Sequence, residues 1–265
     1  MIDTDPAADP ADAGTNHRQL LEVEDLTKSF GAVQALRGAS LTCRSGEVTA
    51  IVGDNGAGKS TLIKCLTGIE HPTSGTVRFR GQPVSLHSPD NARSLGIETV
   101  YQDLALVDDL TVWQNLFLNR EIYRGIGPLR LLNKRAMVTA AQRTIEDLRV
   151  SVPSVRATVR RLSGGQRQAV AISRAVNWGS ALVIMDEPTA ALGLRETAAV
   201  EALIRRLQDR HVTVLIISHN LEQVFRVCDQ VWVMRQGRVV AGMRTADTTS
   251  DQVVALITGS ERGAA

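Results

Sequence analysis

The residues best suited to chemistry lie at Gly53-Asp54-Asn55-Gly56-Ala57-Gly58-Lys59-Ser60, with Thr61 directly after them. The spacing is Gly, four residues, then Gly-Lys-Ser. It falls between the apolar run "EVTAIVG" and the helix-patterned "KSTLIKCLTGI". Glycines let backbone N–H groups converge on phosphate oxygens that side chains would obstruct. The helix start adds its positive dipole end. In such a cradle Lys59 reaches β- and γ-phosphates and the Ser60 hydroxyl ligates Mg²⁺. A second run, "ALVIMDEP", ends in Asp186 and Glu187. In a parallel sheet Asp186 stands beside the phosphate loop, where it would hold Mg²⁺ through water. Glu187 is then the candidate to polarise an attacking water.

A second possible cradle comes about a hundred residues after the first. Ser163, Gly164, Gly165 and Gln166 open a helix expected to bury Ala169, Ile172 and Val176. Chemistry alone leaves two readings level. Ser163 is an ordinary N-cap, or the same free N–H groups take an anion.

These residues need elements to hold them. "LLEVEDLTKSFGAVQALRGASLTCRSGEVTAIVG" reads as short strands broken by Gly and Ser, an antiparallel start. Helical spacing after Gly58 puts Leu62, Ile63, Leu66 and Ile69 on one side. "GTVRFRGQPV" is strand, turn, strand. Residues 88–178 are mostly helix-like, in "PDNARSLG", "TVWQNLFLNREIY", "NKRAMVTAAQRTIEDLRV" and "SGGQRQAVAISRAV", with one strand at "IETVYQ". They are expected to form a helical lobe. Beyond it, "ALVIMD", "VTVLIIS" and "QVWVMRQ" alternate with helical "RETAAVEALIRRLQD" and "NLEQVFRVC". Apolar strands alternating with helices give a parallel sheet covered on both faces.

The bulk numbers agree. Hydrophobic residues are 43% of the 265, but aromatics only 3%. Such a core is built from Val, Leu, Ile and Ala, which favours α/β over a β-sandwich. A net charge of +2 gives no strong footprint for nucleic acid. Cys43, Cys65 and Cys228 are far apart and odd in number, which suits a reduced compartment rather than a disulfide framework. Residues 1–17 are Ala/Asp/Pro-rich and read as a disordered tail, not a secretion signal. Residues 261–265 read as a second tail. No window reaches the roughly 20 apolar residues of a spanning helix, so any membrane role runs through a partner.

"LSGGQRQ", the phosphate loop and "VIMDEPT" together resemble the ATP-binding cassette family, the ATPase subunits of ABC transporters. The resemblance covers residues 20–259 and implies an α/β fold. It is a P-loop NTPase (RecA-like) with a mostly parallel sheet core, an N-terminal antiparallel β-subdomain and the inserted helical subdomain. It also implies ATP and Mg²⁺ as ligands and an answer for the second cradle. Two copies pack head-to-tail, and Ser163 to Gln166 of one close on the γ-phosphate held by Gly53 to Ser60 of the other. Phe30 in "KSFG" resembles the aromatic that stacks on adenine; the alternative is an ordinary strand-end core residue, since nothing local requires a ring platform. Gln102 in "VYQD" resembles the loop glutamine that senses Mg²⁺ and the water. His219 in "IISHN" resembles the switch histidine of the γ-phosphate.

One position departs from the family pattern. The loop after Glu187 reads Ala190-Ala191-Leu192-Gly193, where an Asp usually ends it. "EPTAALG" is similar to the carbohydrate-importer branch, notably ATPases for fructose and ribose. That implies two copies of this chain, integral membrane permease subunits and an extracytoplasmic sugar-binding protein. The chain would sit at the cytoplasmic face of the membrane, its lobe presenting "DLALVDDLTVW" to a permease. Trp113 would be partly core and the loop before it at the interface. Exporter ATPases share the catalytic motifs. A P-loop kinase has no use for LSGGQ.

Overall fold

The computed structural model describes residues 19–125 and 130–260. The tails read at 1–17 and 261–265 lie outside the described residues. The chain opens with two antiparallel strands, β1 (Gln19–Phe30) and β2 (Val33–Arg44). Each is 12 residues long, not the short strands expected, because bulges absorb the turn-like residues. Asp25 in β1 and Gly38 in β2 both take positive φ, at 48° and 85°. β4 (Ser74–Phe79) and β5 (Gln82–Val84) complete this antiparallel sheet in the order β2-β1-β4-β5.

The central sheet has six strands in the order β12-β11-β3-β10-β9-β6. β3 (Val48–Val52), β6 (Ile97–Val100), β9 (Leu182–Asp186), β10 (Thr213–Ile217) and β11 (Gln230–Arg235) run parallel. β12 (Arg238–Arg244) returns antiparallel at one edge and was not foreseen. Strand alternation splits the core in two. Ile51, Ile184 and Leu215 face the antiparallel sheet and α1 (Lys59–Leu66). Val52, Met185 and Ile216 face α6 (Leu194–Asp209) and α7 (Leu221–Val227). Burial on both faces is why these strands carry unbroken apolar runs.

A third apolar cluster belongs to the lobe. It joins Trp113 and Phe117 of α3 (Val112–Phe117) to Met137 and Ile145 of α4 (Lys134–Asp147) and Val170 of α5 (Gly164–Val176). The structure narrows the helical region read at 88–178. β6 is an edge strand of the central sheet, with α2 (Pro89–Ser94) leading into it. α5 serves both units: Val170 faces the lobe, while Ala171, Ile172 and Ala175 face the sheet. Ala169 and Val176, expected to be buried with Ile172, are half-buried.

Two expected helices are shorter than read. α1 stops at Leu66, and the left-handed Gly68 leaves Ile69 exposed. α3 stops at Phe117, because Leu118 turns out of the helix at ψ 125° and Asn119 then takes φ 65°, a conformation Asn tolerates. Tyr123, expected at the end of that helix, lies instead in a small antiparallel pair of β7 (Tyr123–Arg124) and β8 (Leu131–Leu132). The C-terminal α8 (Ser250–Thr258), capped by Thr249 and Gly259, was also missed. No helix among the described residues is long and apolar enough to cross a membrane.

Candidate functional site

The C-terminal ends of β3 and β9 open onto a cleft of about 640 Å³. Asn55 to Thr61 line it from the turn and α1, Asp186 and Glu187 from β9, and Gln102 from the end of β6. Gly53 and Asp54 form the near side of the same turn. Parallel strands deliver these residues together because their C-terminal ends share one edge of the sheet. Gly58 is required where it stands. It holds φ 102° at the start of α1, and a Cβ there would lie 2.8 Å from the Ala35 carbonyl oxygen.

Lys59 points into the turn and donates from Nζ to the carbonyls of Gly53 (2.6 Å) and Asp54 (2.9 Å). Burial pulls its ammonium below the usual range, against Glu187, Asp54 and Asp186. Asp186 is pushed up by burial and by Glu187, with Lys59 opposing them. The two adjacent carboxylates, the Ser60 hydroxyl and the Gln102 amide oxygen are oxygen donors of the kind a small hard cation takes. The residues therefore fit Mg²⁺ bound together with phosphates.

Glu187 sits in the left-handed region at φ 50°, which costs a non-glycine residue on the order of 1 kcal/mol. Its N–H donates to the Ile217 carbonyl at 2.9 Å, so β10 holds the strained turn in place. His219, just past the same strand, brings Nδ1 to 2.7 Å from Glu187 Oε1. An ionised Glu187 accepts that Nδ1 proton. The sequence named both residues but not their pairing. A buried network that it missed supports them. Gln223 Oε1 accepts from Thr189 Oγ1 (3.0 Å) and Ser218 Oγ (3.2 Å), tying the segment after Glu187 to the segment before His219.

Phe30 is 45% exposed, so the strand-end core reading fails. Its ring carries Lys28 Nζ at 4.8 Å from the centroid. It does not line the cleft itself, but its register partner Val33 does, with Gln34 and Ala35.

Ser163 to Gln166 are not among the residues lining this cleft. Ser163, Gly165 and Gln166 line a separate one of about 210 Å³ between α5 and α6. Ser163 caps α5, and Gln166 answers by accepting from the Ser163 N–H at 3.0 Å. Gln166 Nε2 also donates to the Ser151 carbonyl at 3.0 Å. Sequence reading missed Arg174 on α5. Its guanidinium, partly desolvated, donates to the carbonyls of Leu104 (2.8 Å) and Ala105 (2.6 Å), so the loop after Gln102 is tied to the helix that begins with Ser163. A lone arginine in a helix gives no motif to find. In the lobe, Trp113 is buried in the core rather than only partly so, while Leu110 is half-buried and Val107 exposed.

Fold and site together define a P-loop nucleotide-binding cassette. The ABC transporter family model matches residues 36–190, and the chain belongs to that family. It is 44% identical over 244 residues to the xylose/arabinose import ATP-binding protein XylG of Sulfolobus acidocaldarius, covering 92% of this chain and 96% of that one. It is 42% identical to the fructose import ATP-binding protein FrcA of Rhizobium meliloti, covering 91% and 95%. Against the ribose import ATP-binding protein RbsA of Yersinia pestis it is 39% identical but spans only 47% of that chain. Among solved structures it is similar to the ADP conformation of MJ1267, an ATP-binding cassette of an ABC transporter. There the TM-score is 0.77 at 28% identity, covering 91% of this chain and 95% of that one.

Proposed function

We propose that this chain is the ATP-hydrolysing subunit of an ABC importer for a monosaccharide, working as a head-to-tail pair of copies at the cytoplasmic face of a membrane. Its partners are integral permease subunits and, through them, an extracytoplasmic sugar-binding protein. One observation carries the paired reading. Lys59, Asp186 and Glu187 converge on a cleft that Ser163 to Gln166 do not line. That separation supports a signature that, besides capping α5, serves a neighbour's cleft. The importer reading leans on relatives whose names state import of xylose, arabinose, fructose and ribose.

In this mechanism the main-chain amides of residues 53–61 hold the phosphates, and Phe30 stacks on adenine. Lys59 leaves the carbonyls of Gly53 and Asp54 for the β- and γ-phosphates, an exchange that replaces two neutral acceptors with charged ones. Ser60, Asp186 and Gln102 hold Mg²⁺, which neutralises charge on the phosphates when bound. Glu187 orients the attacking water, and His219 holds Glu187 until the γ-phosphate arrives. The partner's Ser163 hydroxyl and α5 start stabilise charge on the transferring group. ATP is thus shared by both copies in the closed pair, and hydrolysis removes the reason to stay closed.

The test is sizing of Glu187→Gln with and without ATP. That change leaves bound ATP unspent, so a dimer accumulates, and adding Ser163→Arg abolishes it. A dimer that survives Ser163→Arg overturns the shared-site reading.

A further inference from the structure

The cleft that holds the signature also holds an acid with no role so far. Glu196 lies in the first turn of α6, directly against the first turn of α5. A Cβ at Gly165 would lie 2.7 Å from Glu196 Cβ and 2.9 Å from Cγ, so only glycine allows the approach. Glu196 Oε2 accepts from the Gly193 N–H at 3.3 Å. Ser163, Gly165, Gln166 and Glu196 line the same cleft. Among the described residues no cation forms an ion pair with Glu196. The Ser163 hydroxyl, then the main-chain N–H groups of Gly165 and Gly193, hold its carboxyl below the usual range.

We propose that the Glu196 carboxylate is a built-in occupant of the signature cradle, which the neighbouring copy's γ-phosphate displaces when the pair closes. This rests on the head-to-tail reading above. A carboxylate at a helix start answers the same N–H groups and dipole as a phosphate does. The two anions therefore compete for Ser163 and Gly165. On displacement Glu196 keeps its contact with Gly193, because that donor belongs to its own helix start. The competition sets a threshold: the cradle of an isolated copy is satisfied, and only a multiply charged phosphate backed by Lys59 of the other copy outbids one carboxylate.

The experiment compares Glu187→Gln with the double variant Glu187→Gln/Glu196→Gln, sizing each across an ATP titration. Glutamine at this position still accepts from the Gly193 N–H through its amide oxygen, so α6 keeps its start. The ATP concentration giving half-maximal dimer is expected to fall about fivefold, the ratio separating a charge-assisted from a neutral hydrogen bond. Glu196→Ala in the same background shifts dimerisation the same way while lowering the melting temperature, which separates the competing role from the cap. A merely structural Glu196 would leave the ATP requirement unchanged or raise it, and either result overturns the proposal. If the Glu187→Gln parent forms no ATP-dependent dimer, or keeps it with Ser163→Arg added, the head-to-tail reading fails and takes this proposal with it.

Discussion

At Asp186 the side chain is held against its own charge. Burial and Glu187 both disfavour the carboxylate, and Lys59 offsets them only in part, since the net shift is upward. Removing that charge stabilises the protein when no nucleotide is present. Asp186→Asn is expected to raise the melting temperature by about 2–4 °C, equivalent to roughly 1 kcal/mol in a chain of this size. The same variant loses ATP turnover, so calorimetry and a phosphate-release assay on one preparation check both halves. Lys59→Ala works in the other direction at the same cleft. It removes a cation that Glu187, Asp54 and Asp186 all face. Nucleotide affinity should drop by about tenfold or more, read by fluorescent-nucleotide titration. Residues such as these are legible in sequence because each ends or begins an element at fixed spacing. Glu196, Arg174 and Gln223 are not, because their partners are set by how helices pack and not by any spacing along the chain.

Elements explain why two neighbouring glycines are unequal. Gly164 and Gly165 both open α5, and both look interchangeable in "LSGGQ". A Cβ on Gly164 would meet only the flexible end of Leu192, at 3.2 Å. A Cβ on Gly165 would strike Glu196 at its Cβ and Cγ and force the starts of α5 and α6 apart. Gly165→Ala is therefore expected to cost about 1–3 kcal/mol in urea unfolding, as overpacked sites do, and Gly164→Ala well under half of that. The parallel strands and their helices could be read from pattern alone, since burial on both faces writes unbroken apolar runs. The ends of α1 and α3 could not, because apolar residues continue past them. There the chain turns away through a left-handed Gly68 after α1, and through Leu118 at ψ 125° and a left-handed Asn119 after α3, conformations that hydrophobic periodicity does not register. β12 and α8 escaped for a related reason. They cover the sheet edge at β11 and carry a mixed, half-exposed pattern with few fully buried positions.

Across the whole molecule, three thiols report on the two sheet layers and leave the lobe silent. Cys43 and Cys65 lie in the cluster between the antiparallel and central sheets, and Cys228 in the cluster under α6 and α7. Burial raises Cys43 from the usual 9.0 to about 12 and Cys65 to about 11. It raises Cys228 as well. A thiol reagent at pH 8 should therefore leave all three unlabelled in the folded chain and modify them as the sheets unfold. The raised values also fix the direction of a pH effect. Below about pH 9 the thiols are neutral in folded and unfolded chains alike, and their contribution is complete. Above it the unfolded chain releases these protons first, so stability falls progressively as the pH climbs towards 11 and 12. Urea midpoints measured from pH 8 to 10.5 should decline over that range. Cys43→Ala starts lower, because it leaves a cavity, but declines less steeply, because it has one fewer proton to lose. An equal slope in the variant would show that lysines and tyrosines, not the buried thiols, carry the alkaline loss.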